Sequence, residues 1–339
     1  MMVSEMNVGL NIQKVEAFLQ EQEDLDKFSG AVLIVKKGKS LFKRAYGHAS
    51  KTYDVRNQVD TKFNIGSINK IFTKTAILQL VERGLLSLDD SVGKHLPDFP
   101  PDIARKVTIR HLLTFTSGMG DYFNDKFIAS SGNLRTLDDF VRLFIDDPLS
   151  FEPGTQRQYS NAGYVVLGKI IEAVAGQDYY SYIRENIYRP AGMDNSDHYE
   201  RDLPEPNVAT GYTTHDRCCD ESDVSRKDEL RRLNVFQVGS KGSPAGGGYS
   251  TLDDLMAFEL AVQQNKLLSP EYSKFVFKLI SDESERPFPG FVIVGGAPGV
   301  SAFFDRNYIE DYAIIVLSNY DPHDTEPVYK QLREIVGEK

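Results

Sequence analysis

Residues 63–84 read FNIGSINKIFTKTAILQLVERG. The opening FNIG has the character of a strand or loop that stops at Gly66. From there Ile68, Ile71, Phe72, Thr75 and Leu78 recur at spacings of three and four. That pattern predicts a buried helix over 68–86 with Gly84 marking its end. Ser67 and Lys70 then lie one turn apart on the same face of its first turns. A helix N-terminus offers free N–H groups and the positive end of the backbone dipole, which favour an alkoxide or a developing oxyanion. A lysine one turn away can take the serine proton if burial keeps it neutral.

The S-x-x-K spacing is short and recurs by chance. Ser40–Lys43 fits it inside a strand pattern, where residues three apart face opposite sides. Ser91–Lys94 contains Gly93 and is expected to lead into a loop. Only Ser67 precedes a long apolar helix. An N-capping serine and a surface lysine would satisfy the same letters, so other segments have to decide.

Two segments bear on the question. Tyr159-Ser160-Asn161 follows Phe151-Glu-Pro-Gly154 and opens a strongly apolar helix, Gly163–Ala175, stopped by Gly176. The tyrosine can accept or relay a proton, and the asparagine can hold a substrate amide or orient the lysine. A capping asparagine beside an ordinary tyrosine is the plainer reading. Tyr122-Phe-Asn124 repeats the letters, with no helix expected after it. Gly295-Gly-Ala-Pro-Gly299 is expected to precede a strand, its glycines allowing close approach to a ligand or simply making a turn.

Further outward, helical spacing covers 11–24, Thr136–Phe144 and Ser250–Gln263, with a closing helix over Glu326–Val336. Strands are expected at Gly30–Lys36, Ser40–Tyr46, Gly299–Asp305 and Tyr312–Ser318, the first two as a hairpin. Helix, strands, a helical middle, strands and helix imply an α+β fold in which both chain ends share one sheet. The expected division is a sheet-and-helix domain, 1–75 with 235–339, and a mainly helical domain, 76–234.

The chain has 339 residues, 41% hydrophobic and 26% charged, which are ordinary globular values. A net charge of −10 argues against nucleic acid as a partner. No basic membrane patch, secretory signal or spanning segment is visible, so a cytoplasmic location is expected. Cys218 and Cys219 are adjacent and read as two surface thiols. Residues 216–232 are dense in both charge signs and read as a solvated loop, or as a rim to a pocket. The histidines His48, His95, His111, His198, His215 and His323 show no metal-binding spacing, and no serine has the G-x-S-x-G flank. Neither a metal nor a cofactor is expected.

Ser67–Lys70 and Tyr159–Asn161, in this order, resemble the motifs of the serine β-lactamase and penicillin-binding-protein superfamily. The nearest likeness is the branch of class C β-lactamases, D-amino-acid peptidases and related carboxylesterases. The segments HLLTFTSGM (111–119), FEPGTQRQYSNAGYVVLG (151–168), SPAGGGYSTLDDL (243–255) and IIVLSNYD (314–321) are similar to that family too. The resemblance covers roughly residues 25–335. It implies an antiparallel sheet flanked by helices, an inserted all-helical domain and an active site between them. Ser67 would be the nucleophile, with Lys70 and Tyr159 as proton carriers and Asn161 as a substrate-binding residue. The N–H of Gly296, beside Gly295, would pair with that of Ser67 as an oxyanion hole.

The chain departs from the family at its third motif, Lys-Thr-Gly or His-x-Gly, where it carries Ile293-Val294-Gly295. A charge-assisted hydrogen bond to a substrate carboxylate, about 1.5–3 kcal/mol, is thereby lost. β-Lactams and D-Ala-D-Ala peptides carry that carboxylate and simple esters do not. The resemblance thus points to a carboxylesterase on compact esters that works through an acyl-enzyme. A D-residue peptidase, amidase or weak β-lactamase would need a substitute cation such as Arg286 or Arg306. A non-catalytic binding protein that retains the fold is the remaining alternative. The expected partner is a small ester or amide, and the oligomeric state is left open.

Overall fold

The computed structural model describes residues 11–215, 230–278 and 288–337. Cys218, Cys219, Arg286 and the charged segment before residue 230 therefore lie outside the described residues. Helix α1 (Ile12–Asp24) leads into strands β1 (Gly30–Lys36) and β2 (Lys39–Tyr46). Their turn uses Lys37 and Gly38, both at positive φ (50° and 70°), as a tight hairpin of this hand requires. Helices α2 (Lys70–Glu82), α3 (Asn161–Ala175) and α4 (Leu252–Gln263) follow. Strands β3 (Gly290–Ala297), β4 (Val300–Asn307) and β5 (Tyr312–Ser318) and helix α5 (Pro322–Gly337) close the chain.

The strands form one antiparallel sheet of order β2-β1-β5-β4-β3. Both chain ends thus share a sheet, and the fold is α+β. Alternation along the strands decides what covers each face. Val32, Ile34, Ile314 and Val316 pack against Val15 and Leu19 of α1 and Val328 and Leu332 of α5. The intervening residues Ala31, Leu33, Ile315 and Leu317 join a larger core with Ile68, Phe72, Leu255 and Phe258. Each such side chain contributes about 1.5–3 kcal/mol relative to leaving it in water, so a one-residue slip of β1 would expose a full row of them. No helix of the described residues is long and apolar enough to cross a membrane.

Several sequence expectations need correction. The helix expected over 68–86 is a 3₁₀ turn, Gly66–Asn69, running into α2. The helix expected at Thr136–Phe144 is Leu137–Val141, where Thr136 and Asp139 form a capping box. Tyr122–Asn124 does open a helix: the Asn124 side chain accepts from Phe127 N–H and caps Asp125–Ser130. Ser91 likewise precedes a short helix, Val92–His95. The closing helix begins at Pro322, because Asp321 lies just before its first turn and its carbonyl accepts from Thr325 N–H. Residues Gly295–Ala297 belong to β3 itself; only Pro298–Gly299 makes the turn into β4.

Candidate active site

Ser67 sits in the 3₁₀ turn, held from behind by a short antiparallel ladder between Phe63–Asn64 and Tyr249–Ser250. Edge strand β3 crosses in front of it at backbone distance. A Cβ on Gly295 would fall 2.0 Å from the Ile65 carbonyl oxygen and 2.9 Å from Ser67 N. A Cβ on Gly66, whose φ is +49°, would fall 2.7 Å from Gly296 N. Only glycine fits at either place. The two close approaches pack the Gly66–Ser67 backbone directly against that of Gly295–Gly296.

Lys70, the first residue of α2, is buried. Its ammonium nitrogen donates to Ser67 Oγ at 3.1 Å, to Asn161 Oδ1 at 2.6 Å and to the Ala245 carbonyl. Burial pulls its pKa down to about 7, although the charge of Asp121 works the other way. Tyr159 OH lies 2.7 Å from Ser67 Oγ, and the Lys70 nitrogen sits 4.7 Å from the Tyr159 ring centroid. Tyr159 lines the cleft and is half exposed overall. Desolvation pushes its pKa up to about 12, with the Ser67 hydrogen bond opposing and Asp121 adding to the rise.

The helix cap at this point is Ser160, whose Oγ accepts from Gly163 N–H at 2.9 Å. Asn161 is thereby freed from capping and bridges Lys70 to Asp121, donating from Nδ2 to Asp121 Oδ2 at 2.7 Å. Ser67, Tyr159, Asn161 and Gly296 thus line one cleft of about 600 Å³, while Lys70 lies behind Ser67 and Asn161 through its hydrogen bonds and Gly295 packs on the Ile65–Ser67 backbone.

Three residues that line the cleft, Asp121, Arg201 and Lys241, and one packed behind it, Phe115, were not singled out from sequence. Asp121 lies in a loop with nothing local to mark it. Phe115 stacks on Tyr159 (centroids 4.9 Å apart) and on Tyr164 (5.4 Å), and holds a positive φ of 59°, a strained backbone for an aromatic residue. It is the floor on which Tyr159 rests. Arg201 and Lys241 line the cleft as its cations. Lys241 is paired with Glu200 at 3.2 Å. Arg201 donates to the carbonyls of Val235 (3.2 Å) and Val238 (2.9 Å) and forms no ion pair among the described residues.

The third-motif positions are apolar in structure as in sequence: Val294 lines the cleft and Ile293 packs against the larger core. Arg306 does not replace the missing cation. Its guanidinium is bound to Asp311 (2.8 Å), Glu259 (3.3 Å) and two carbonyls, away from the cleft lining.

A five-stranded antiparallel sheet packed on helices, with S-x-x-K at the start of a buried helix, defines a class of serine hydrolases. The chain matches the Beta-lactamase family over residues 15–336 and belongs to that family. It is 32% identical over 323 residues to penicillin-binding protein 4* of Bacillus subtilis, covering 88% of this chain and 70% of that protein. It spans under half the length of some other relatives, such as the putative penicillin-binding protein PbpX of the same organism, at 34% identity over 59% of this chain and 48% of that one. Among solved structures, a penicillin-binding protein from Bacillus halodurans superposes with a TM-score of 0.78 at 28% identity, over 94% of this chain and 99% of that one. The fold alone is shared with EstCE1, a hydrolase with promiscuous acyltransferase activity, with a TM-score of 0.73 at 20% identity over 96% of this chain and 98% of that one.

Proposed function

We propose that the chain is a carboxylesterase acting on compact esters through an acyl-enzyme on Ser67. The observation that carries the reading is the hydrogen-bonded set Tyr159–Ser67–Lys70, with its two proton carriers driven in opposite directions. Lys70, pulled to about 7, is available as a neutral base at physiological pH and takes the Ser67 proton as Oγ attacks the ester carbonyl. Tyr159, pushed to about 12, stays protonated and serves as the donor that passes a proton to the leaving alkoxide. The backbone N–H groups of Ser67 and Gly296 receive the oxyanion. The proton held by Lys70 then passes to Tyr159, which restores the pair. Water attacks the acyl carbonyl, the tyrosine–lysine pair takes its proton and returns it to Ser67 Oγ as the bond to the acyl group breaks, and the acid leaves. The apolar third motif supports a neutral substrate, because Val294 offers a carboxylate nothing.

Arg201 favours a second reading. A guanidinium at the cleft wall that has no ion-pair partner among the described residues suits an acidic substrate, which would make the enzyme a D-residue amidase or peptidase. Rates for a short p-nitrophenyl ester, a D-residue p-nitroanilide bearing a carboxylate and a chromogenic β-lactam separate the two. The esterase reading expects the neutral ester to be hydrolysed with the highest kcat/KM and Arg201→Ala to leave it unchanged. Preference for the carboxylate-bearing amide, lost in Arg201→Ala, would replace it with the second reading. A folded chain that turns over none of the three would leave only a binding role.

A further inference from the structure

The six histidines are scattered in sequence, yet the fold brings two of them to one carboxylate. The potential ligand atoms of His215, Asp321 and His323 all lie within 4.8 Å of one another. We propose that these three residues bind a divalent transition metal ion of the zinc class at the end of the substrate cleft.

Asp321 explains why the three meet. Its side chain is fully buried and gathers three segments. Oδ1 accepts from Gly299 N–H at 2.7 Å in the β3–β4 turn. Oδ2 accepts from Thr214 N–H at 2.8 Å and Thr214 Oγ1 at 3.2 Å, one residue before His215. A carboxylate has about four lone-pair sites, so three are used and one remains on Oδ1 for a metal. These donors also fix the carboxylate's orientation, as partners behind a metal ligand commonly do.

The histidines are placed but lightly engaged. His215 is held through its backbone, donating N–H to Thr213 Oγ1 (3.0 Å) and accepting at its carbonyl from Gln237 (2.6 Å). His323 is on the first turn of α5, and its Nε2 is 3.5 Å from Asp324 Oδ1, too far for a strong hydrogen bond. The two rings meet edge-to-face with centroids 5.3 Å apart. Tetrahedral zinc with ligand bonds of ~2.0–2.2 Å needs its ligands about 3.4 Å apart. Modest side-chain rotations, with the half-buried His215 and the exposed His323 turning toward the fixed Asp321, close the set.

Two imidazoles and a carboxylate make three protein ligands, which leaves a coordination position for a further oxygen. His215 and Pro322 line the cleft, and a Cβ on Gly296 would lie 2.9 Å from the Pro322 ring. A bound ion would therefore add positive charge near the oxyanion strand, where Ile293 and Val294 supply none. This revises the expectation of no metal and stands apart from the identity of the substrate.

The test is calorimetric titration of the chelator-stripped full chain with Zn²⁺, together with visible absorption of the Co²⁺ form. The proposal expects one equivalent bound per chain and Co²⁺ bands of low-symmetry, imidazole-rich coordination. His215→Ala and His323→Ala should each weaken binding by about tenfold or more, since even an outer partner's loss costs that much. Thermal unfolding of the metal-free variants checks that they fold; Asp321 is left intact because it organises the backbone. A Cys218→Ser, Cys219→Ser chain should bind Zn²⁺ as the parent does. No binding by the parent chain, equal binding by the histidine variants, or loss of binding with the thiols would each overturn the assignment.

Discussion

In the proposed mechanism Lys70 acts as the base because burial lowers its pKa, and that burial has readable consequences. Its pKa near 7 predicts that kcat/KM for a neutral ester rises with pH through about 7, as the lysine loses its proton. The plateau should then hold to about pH 10, because Tyr159 titrates only near 12. Lys70→Met should lower kcat by about a hundredfold to ten-thousandfold, the usual span for a positioned general base. An unchanged profile in that variant would move the base to Tyr159. Phe115 makes a subtler prediction. Phe115→Ala removes the ring beneath Tyr159, so kcat should fall, by up to about a hundredfold, with KM little altered. A change in KM alone would show that Phe115 contacts substrate instead. Ser67 and Lys70 were legible in sequence because their relation is local, three positions along one helix. Asp121, Phe115 and Arg201 were not, since each reaches the cleft from a loop or turn with no periodic pattern to read. The histidine–aspartate group was invisible for the same reason: His215 and Asp321 are joined only through the third dimension.

Among the elements, the contact between strand β3 and the 3₁₀ turn matters most. Its closeness rests on glycine, and Gly295→Ala places a methyl group against the Ile65 carbonyl and Ser67 N. The strand must then move away, taking Gly296 N–H from the proposed oxyanion position. Loss of one such donor costs about a hundredfold to a thousandfold in kcat, and that is the expected effect, with an accompanying drop in melting temperature. Retention of full activity would mean that Gly296 takes no part. Strand β3 was not itself predicted: its exposed Val292 and Val294 alternate with Ile293, but two glycines follow, and an edge strand pairs on one side only. By contrast the β1–β2 hairpin, α3 and α5 were readable from turn residues and apolar spacing, with errors confined to their ends. Caps account for most of those errors, as at Ser160 and Asp321.

Over the whole molecule, one core runs from the sheet face through the helices and is shared by the two proposed domains, 1–75 with 235–339 and 76–234. Two lysines on α2, the buried Lys70 and the partly buried Lys74, are each drawn to about 7 by desolvation. Between pH 7 and their unfolded value of 10.5, the unfolded chain holds more protons than the folded one. Stability should therefore rise with pH through this window and level off below it. Urea unfolding at pH 7 and pH 9 should show the increase, and Lys70→Met with Lys74→Met should flatten it while adding a few kcal/mol near neutrality. A slope of the opposite sign, or one that survives both substitutions, would place the effect elsewhere. A buried amine hydrogen-bonded to Ser67, as Lys70 is, costs stability that a purely structural chain has no reason to bear, which favours the catalytic reading over the binding one.

The central claim, that Ser67 is acylated, is tested most directly by intact and peptide-level mass spectrometry after exposure to a short p-nitrophenyl ester or an activated phosphonate. The expected result is one adduct per chain, on the peptide containing Ser67, absent in Ser67→Ala and slowed in Lys70→Met and Tyr159→Phe. A folded, unlabelled chain, or an adduct that persists when Ser67 is alanine, would contradict it.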